Sequence, residues 1–324
     1  MDRRTFARTI AAVMAGLGIP VGGRDASATS PFGRGVLPPT TLPTRRLGRT
    51  GLDVPILALG GHHVGRAESE SAARVLVETA LEEGIRFFDN AESYQNGKAE
   101  RWLGAALESV RSDVMIMTKT HSPRDRSADS ARRHLEGSLE RLRTDYLDVW
   151  QLHSTKSVED VDRAFRSGGA MEYIMQARDE GLVRFVGVTG HVTPAAHRRA
   201  LEYWDDGWQF DTFQFPINPI DYHQRSFQRQ VLVDIVARDI GMIAMKTSAD
   251  GRLLREGICT IEETLRYVWS LPVNVAVVGM ETPALVRHNA RLARDFEPMS
   301  PADLQALRDR IEPDADLALE WYKT

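Results

Sequence analysis

Short apolar runs that alternate with longer amphipathic segments constrain the fold of this chain more than any other feature. The runs have the length of buried strands, about four to eight residues. In the segments between them, apolar residues recur on one helical face, as in residues 68–84. This alternation is typical of a parallel sheet with crossover helices. Eight runs are present, at residues 55–61, 85–91, 114–120, 146–153, 183–190, 211–218, 241–247 and 273–279.

Eight strand-helix units predict a single-domain α/β protein, a closed (β/α)8 TIM barrel. The alternative with a parallel sheet is a two-domain, doubly wound protein. Its dinucleotide-binding form carries a G-x-G-x-x-G segment at the start of a helix. No such segment opens a predicted helix here, which favours the barrel.

Three successive runs end in titratable side chains. Asp89 ends the second run and is followed five residues later by Tyr94, while Lys119 and His153 end the third and fourth runs. Because a parallel barrel gathers the carboxyl ends of its strands on one face, the four side chains are predicted to share a site.

The motifs that hold these residues are D-N-A-E-S-Y, T-K-T and Q-L-H, in that order. The series resembles the aldo-keto reductases, and the resemblance extends from Arg45 to the region of Phe296. It implies an NAD(P)H-dependent oxidoreductase that reduces an aldehyde or ketone, or oxidises the alcohol, by hydride transfer.

The resemblance also gives the four residues their catalytic roles. A phenol, with a free pKa of about 10, donates its proton reluctantly at neutral pH. Tyr94 is expected to be the proton donor, and the Lys119 ammonium is expected to lower its pKa. Asp89 would hold the ammonium in place, and His153 would hydrogen-bond the carbonyl oxygen of the substrate.

The cofactor implied by the resemblance is NADP, with NAD also possible. Met245 stands where the family usually has an aromatic residue on the nicotinamide, and Glu281 follows Met280 where a hydroxyl or basic residue is common. Arg287 could reach a phosphate, but Glu281 would repel one, so the choice of cofactor is open. The cofactor-binding candidates are Gly61, Thr189, Gly190, Gln214, Met245, Lys246, Gly279, Met280 and Asn289.

The implied partner is a small-molecule carbonyl substrate. In this fold, specificity comes from loops at the carboxyl face and from the C-terminal tail, of which Trp321 is one residue. The substrate-binding candidates are His62, His63, Trp150, His191 and Tyr222.

Two other functions are compatible with parts of the pattern. Histidines at strand ends, His121 among them, also occur in zinc-dependent barrel hydrolases. Adjacent residues of a strand point to opposite faces, so His62 and His63 should not chelate one ion, and no metal site is predicted. The other function is a catalytically silent cofactor-binding barrel acting as a regulatory subunit, against which the intact set of four residues argues.

Residues 1–28 resemble a twin-arginine signal peptide. Arg3 and Arg4 precede a short apolar run, and residues 26–28 read Ala-Ser-Ala, a small-residue cleavage site. The run is too short and glycine-rich for stable membrane insertion. The signal implies recognition by the export machinery and a periplasmic location, with a cytoplasmic enzyme as the alternative.

The remaining boundaries follow from composition and pattern. Residues 29–44, rich in proline and glycine, are predicted to be a disordered linker. Residues 45–296 would form the barrel, and residues 297–324 a C-terminal helix and tail.

The charge balance argues against a nucleic-acid partner, and the cysteine count excludes two kinds of cysteine site. The net charge is -4, with acids and bases interspersed, so the sequence offers no basic face to nucleic acid. Cys259 is the only cysteine, which excludes an intramolecular disulfide and a zinc ribbon. The pattern does not select an oligomeric state.

Overall fold

The structure, a computed structural model, describes residue 37, residues 40–120 and residues 125–324. In this part of the chain eight parallel strands close into a barrel, which confirms the predicted (β/α)8 fold. The predicted signal peptide and most of the predicted linker lie outside the described residues. The strands are β1 (Thr44–Arg46) and β2 (Asp53–Pro55), which form an antiparallel hairpin, and the barrel strands β3 (Leu57–Gly60), β4 (Phe87–Asp89), β5 (Met115–Lys119), β6 (Leu147–Leu152), β7 (Val183–Thr189), β8 (Thr212–Pro216), β9 (Gly241–Met245) and β10 (Val275–Val278).

Helices surround the barrel. Most of the longer ones begin at serine or threonine caps, such as Ser127, whose hydroxyl accepts a hydrogen bond from the Ser130 N–H. No helix of the described residues is long and apolar enough to cross a membrane. The helices are α1 (Gly61–Val64), α2 (Glu70–Glu82), α3 (Lys98–Leu107), α4 (Ala128–Leu142), α5 (Val158–Phe165), α6 (Ala170–Asp179), α7 (Pro194–Tyr203), α8 (Val233–Ala237), α9 (Arg252–Arg255), α10 (Ile261–Trp269), α11 (Pro283–Arg294) and α12 (Pro301–Ile311).

The hairpin β1–β2 closes the amino end of the barrel. Its buried Leu47 and Val54 pack onto the inward-facing side chains of the barrel strands. Gly48 has φ 47°, and a Cβ there would lie 2.4 Å from the backbone nitrogen of Gly241, so no larger residue fits. The carboxyl end of the barrel, opposite this hairpin, is here called the mouth.

The packed structure begins before β1. Leu42 is only 4% exposed, and the Thr40 hydroxyl donates a hydrogen bond to the Gly84 carbonyl at 2.6 Å. Residues 40–44 are therefore part of the folded domain, where the composition had suggested a disordered linker.

Strand parity decides which side chains face the barrel interior. On β6, Val149 belongs to the central core, and Gln151 donates a hydrogen bond to the Thr212 hydroxyl across the interior. Trp150 lies between them on the opposite face, fully buried and edge-on to the Tyr173 ring of α6. The prediction that Trp150 contacts the substrate is therefore wrong, because its side chain points toward the helices.

After α12, the chain returns to the mouth. The Lys323 ammonium is completely buried and lies 2.6 Å from Asp221 Oδ1 and 2.6 Å from Glu320 Oε2. Asp221 belongs to the 3-10 turn Ile220–Tyr222, which follows β8. An internal ion-pair network thus fixes the tail, residues 312–324, beside the strand ends that carry the site.

Candidate active site

A buried ion pair lies at the centre of the mouth. The Lys119 ammonium, 1% exposed, contacts Asp89 Oδ1 and donates to the Asn90 carbonyl at 2.6 Å. The Gln214 side-chain amide donates to the same Asp89 oxygen at 3.3 Å. Burial raises the pKa of Asp89 and lowers the pKa of Lys119, and the attraction between the two charges opposes both shifts. In the barrel register Asp89 pairs with Met117, and Lys119 lies two residues further along β5 on the same face, which makes this contact possible.

Tyr94 lies beside this pair. The Lys119 Nζ is 5.4 Å from the centroid of the Tyr94 ring. Burial, together with the negative charge of Asp89, raises the pKa of Tyr94 well above its ordinary value. The Lys119 ammonium is directed at Asp89 and Asn90, so burial and the Asp89 charge decide the direction of this pKa shift. The phenol therefore stays protonated at neutral pH.

The loop after β4 turns sharply to aim Tyr94 at the mouth. Gln95, Asn96 and Gly97 have φ angles of 46°, 55° and 77°, three consecutive left-handed residues. Only glycine adopts this conformation without cost, so the turn stores backbone strain next to Tyr94. The Tyr94 carbonyl accepts a hydrogen bond from the Gly97 N–H at 3.1 Å, which closes the turn.

His153 follows β6 and faces Tyr94, with ring centroids 6.2 Å apart. Its Nδ1 lies 3.1 Å from the Thr120 carbonyl oxygen, which can only accept, so Nδ1 carries the proton and donates. Burial lowers the pKa of His153 well below its ordinary value, so the ring is neutral. Its Nε2 then bears a lone pair. In this tautomer, Nε2 has no proton to donate to a carbonyl oxygen.

His62 and His63 lie on helix α1, not on a strand. Successive helical residues diverge by about 100°, and the two rings meet edge-on with their centroids 5.5 Å apart. His62 contacts the Tyr94 ring edge-on at 5.2 Å, as a residue of the substrate side would. His63 turns to β10, where its Nε2 is 3.8 Å from Glu281 and a Cβ on Gly279 would be 2.1 Å from its ring.

Two predicted cofactor residues carry unpaired polar atoms. Gln214 Oε1 and Asn289 Oδ1 are enclosed, and neither has a hydrogen-bond partner among the described residues. Enclosed acceptors are normally satisfied, so both atoms are available to accept a hydrogen bond from a bound group.

Two of the predicted cofactor glycines are packed tightly against protein backbone, so no larger residue fits at either position. A Cβ on Gly61 would lie 2.4 Å from the Asp89 carbonyl, and one on Gly190 would lie 2.5 Å from the Thr155 carbonyl. Thr189 ends β7 opposite Gln214, so both lie at the mouth.

His197 is a residue that the sequence pattern did not single out. It is fully buried among the rings of Phe213, Phe215 and Phe227, and burial lowers its pKa to about 4. The Gly190 backbone packs on its ring, where a Cβ would be 3.0 Å away. His197 therefore supports the turn after β7 from behind, and its position on α7 gives no hint of this in sequence.

The remaining cofactor candidates are already paired with another side chain or are partly or fully buried. Lys246 pairs with Asp250 at 2.8 Å, with its ammonium 5.7 Å from the Trp321 ring, so it is already engaged by a carboxylate. Met245 is half-buried at the end of β9. Met280 is fully buried.

Two substrate candidates differ in their surroundings. Tyr222 lies between the Arg308 and Arg229 guanidinium groups, at 4.0 and 5.3 Å, and the structure shows no contact between Tyr222 and the four predicted catalytic residues. His191 lies at the mouth, where its Nδ1 is 3.0 Å from the Tyr322 carbonyl. The tail residue Tyr322 was not among the candidates, since no periodic pattern marks it.

In the part of the chain that the structure describes, no group of three or more histidine, cysteine, aspartate or glutamate side chains is arranged to hold a metal ion. His121 lies outside that part.

The fold and the site together define a class of protein, a (β/α)8 barrel with a buried lysine-aspartate pair, a tyrosine and a histidine at its carboxyl end. A sequence profile of the Aldo/keto reductase family matches residues 56–260, more than half of the chain. The chain belongs to the aldo/keto reductase family, as its motifs had indicated.

Individual relatives match over shorter stretches. A probable voltage-gated potassium channel subunit beta of Oryza sativa is 34% identical over 157 residues, 45% of this chain and 45% of that protein. L-galactose dehydrogenase of Arabidopsis thaliana is 31% identical over 160 residues, 47% of this chain and 49% of that protein. The chain thus spans about half the length of these relatives. An aldo-keto reductase from Klebsiella pneumoniae, solved in complex with NADPH, shares the fold with a TM-score of 0.68 at 23% identity, over 84% of this chain and 95% of that one.

Proposed function

We propose that the protein reduces an aldehyde or ketone with NAD(P)H, or oxidises the corresponding alcohol, by hydride transfer. The observation that carries the proposal is the buried Lys119–Asp89 pair beside the Tyr94 ring. Ionisable groups with strongly shifted pKa values in a cleft are typical of catalytic sites. The membership in the aldo/keto reductase family and the relative named as a dehydrogenase support the same reaction.

Tyr94 is the proton donor in this proposal. A bound nicotinamide supplies the hydride. As the carbonyl oxygen gains negative charge, the Tyr94 hydroxyl gives it a proton. The Lys119 ammonium, 5.4 Å from the ring centroid, then stabilises the phenolate that remains. Because the pKa of the phenol is raised, its proton should leave only when charge develops on the substrate.

The unpaired acceptors fit a nicotinamide nucleotide. Gln214 Oε1 would accept from the amide of the nicotinamide, and Asn289 Oδ1 from the adenine amino group. NADPH is the proposed cofactor, supported by the Klebsiella pneumoniae reductase that binds it. NAD is the alternative, since the Glu281 carboxylate beside β10 would repel a 2′-phosphate.

The direct test uses the purified full chain. Any nucleotide that copurifies is identified by absorbance and mass, and consumption of NADPH and of NADH is followed with a panel of aldehydes and ketones. Turnover of a carbonyl compound supports the proposal. Nucleotide binding without turnover across the panel would indicate a regulatory barrel instead, and the absence of nucleotide binding would contradict both functions.

The Asn289 side chain offers a test of the nucleotide site. We expect Asn289→Ala to raise the dissociation constant for the nucleotide about 3- to 10-fold, the effect of losing one neutral hydrogen bond. Quenching of tryptophan fluorescence measures the constant. Gln305→Ala, on the surface of α12, is the matched control and should bind as the parent does. An unchanged constant in Asn289→Ala would remove this residue from the site.

We propose that residues 1–28 act as a twin-arginine signal and that the folded protein is exported to the periplasm. The support is the order of Arg3 and Arg4, the apolar run and the Ala-Ser-Ala triplet. Export after folding suits a protein that must acquire its nucleotide in the cytoplasm.

The export proposal predicts a mature chain that begins near residue 29. Cell fractionation followed by N-terminal sequencing measures this, and a variant with Arg3→Lys and Arg4→Lys should stay in the cytoplasm uncleaved. Recovery of the parent from the cytoplasm with Met1 intact would exclude export.

A further inference from the structure

The loop between β4 and α3 carries Tyr94, and one arginine of α4 contacts this loop on both sides of the tyrosine. Arg141 lies in the last turn of α4, with its side chain 20% exposed. Its Nη2 is 3.5 Å from Oε1 of Glu92, two residues before Tyr94. Its Cδ lies against Gly97, three residues after Tyr94, where a Cβ would be only 2.7 Å away. Arg141 therefore contacts the loop both before and after Tyr94.

The guanidinium of Arg141 is itself fixed by a buried carboxylate. Its Nε donates to Glu100 Oε2 at 2.7 Å, and Glu100, on α3, is completely buried. The other oxygen of Glu100 accepts a hydrogen bond from the Thr118 hydroxyl of β5 at 2.6 Å. Because a guanidinium is planar and rigid, fixing Nε also fixes the nitrogen that faces Glu92. Arg141 thus links the Tyr94 loop to the wall of the barrel.

Glu92 is mostly ionised at pH 7 and can pair with this guanidinium. Burial raises the pKa of Glu92 to about 6, a shift that Arg141 opposes and Glu100 reinforces. His134, also on α4, has its Nε2 3.6 Å from Oε2 of Glu92. Both contacts join the loop to the same helix, so α4 determines where Glu92 lies.

The loop needs such a support because part of its backbone is strained. Gln95 and Asn96 have φ angles of 46° and 55°, although neither is glycine. Residues in this region persist only when the surrounding structure holds them there. The contacts of Arg141 with Glu92 and Gly97 flank both strained residues. Without these contacts the loop could relax, and the Tyr94 hydroxyl would move with it.

We propose that Arg141 is a positioning residue for the reaction, which holds the Tyr94 loop in the conformation that proton donation requires. This inference rests on the proposed reductase function. In it, Arg141 touches neither nucleotide nor substrate and acts only through Tyr94. Misplacing a reacting group by about 1 Å can lower a rate by about 10²-fold. The effect belongs to kcat, because the proton is transferred in the transition state and not in the bound ground state.

The test uses the full chain and two substitutions that leave Glu100 beside a cation. Arg141→Lys keeps the positive charge but lacks the planar fork that also reaches Glu92, and Glu92→Gln removes the loop carboxylate while keeping its shape. We expect kcat to fall about 10- to 100-fold in Arg141→Lys and about 3- to 10-fold in Glu92→Gln, with KM and the nucleotide dissociation constant within about 2-fold of the parent. Arg133→Met is the matched control and should keep the parental kcat, since Arg133 is an exposed arginine of the same helix that pairs with Asp125 at 3.8 Å.

A double-mutant cycle shows whether Arg141 acts through Tyr94. The proton donor is absent in Tyr94→Phe, so adding Arg141→Lys to that variant should lower the residual kcat by no more than about 2-fold. Single-turnover oxidation of the nucleotide, followed by absorbance, measures these slow rates. An equal fold-loss in the two backgrounds overturns the positioning role, because a loss that does not require the Tyr94 hydroxyl is not transmitted through it.

The other outcomes separate this inference from the reductase function. Parental kcat in both Arg141→Lys and Glu92→Gln overturns the role of Arg141 alone, and so does a loss that falls on KM or on nucleotide affinity while kcat is unchanged. If circular dichroism shows that Arg141→Lys does not fold, the same cycle with Glu92→Gln decides. If the parent reduces no carbonyl compound of the panel, the reductase function is overturned and this inference with it.

Discussion

Replacing Tyr94 by phenylalanine should lower kcat by about 10²- to 10⁴-fold, the range found when a general acid is removed. The substitution deletes only the hydroxyl, so the ring contacts with His62 and His153 and the volume of the site persist. The proton that the substrate oxygen requires then has no donor at this position. The loss should fall on kcat, because ring contacts made equally in the ground state and the transition state are retained.

The measurement is steady-state turnover together with nucleotide binding followed by tryptophan fluorescence. Tyr146→Phe is a matched control, because Tyr146 precedes β6 at the opposite end of the barrel, beneath the Arg111 guanidinium. The control should retain parental kcat. If Tyr94→Phe reduced carbonyl substrates at the parental rate while binding nucleotide normally, Tyr94 would not be the acid, and the relation to the family would be one of fold alone.

The barrel could be predicted from sequence because each buried strand is a continuous apolar run and each helix keeps a single apolar face. The same argument places Asp89, Lys119 and His153 together, since parallel strands of one barrel end on one face. The hairpin β1–β2 was not predicted, because strands of three residues are too short to show an alternation of apolar and polar residues. The hairpin closes the amino end of the barrel because Leu47 packs against side chains that are distant in sequence, and the sequence does not specify those contacts.

Side-chain direction was harder to predict than position. Side chains alternate between the two faces of a strand, so Gln151 and Val149 lie on the face of His153 and Trp150 lies on the other face. This alternation could have excluded Trp150 from the substrate-binding candidates. His62 and His63 could not be placed in this way, because the chain turns helical directly after β3. The electrostatics of the site depend on still finer detail. Whether Lys119 acts on Tyr94 or on Asp89 is decided by which atoms its ammonium touches, and sequence does not contain those distances.

The tail shows why the rim of the site could not be predicted. Lys323 and Asp221 are 102 positions apart and pair only in the folded chain. In sequence, Lys323 follows the segment Leu-Ala-Leu-Glu-Trp-Tyr, which is too short to show a helical or strand period. The sequence therefore does not predict that the tyrosine and the lysine of this segment are buried.

Replacing Lys323 by methionine should be the most destabilising of these substitutions, by about 3–5 kcal/mol, the cost of leaving a buried charge without its partner. The ammonium contacts Asp221 Oδ1, Glu320 Oε2 and the Gln224 carbonyl. Methionine keeps most of the volume, so the loss is electrostatic and not that of a cavity. Asp221 retains backbone donors, including the Phe227 N–H at 3.1 Å. The loss of the ammonium therefore destabilises the Glu320 carboxylate more than the Asp221 carboxylate.

The sign of the pH dependence follows from Glu320. Burial raises its pKa, and the Lys323 ammonium opposes that shift in the parent, so the pKa should rise further in Lys323→Met. A carboxyl whose folded pKa is raised is favoured in the folded state when protonated. The deficit of the variant should therefore be largest at about pH 8 and shrink as the pH falls through the raised pKa, toward about pH 5.

Urea unfolding and hydrogen exchange of residues 315–324 measure this at both pH values. Lys156→Met, an exposed lysine in the loop after β6, is the matched control and should leave stability unchanged within about 0.5 kcal/mol. If the deficit of Lys323→Met were the same at both pH values, an uncompensated Glu320 charge could not be its cause. Undocking of the tail would also remove the Tyr322 carbonyl from His191 Nδ1, which now lies 3.0 Å from it.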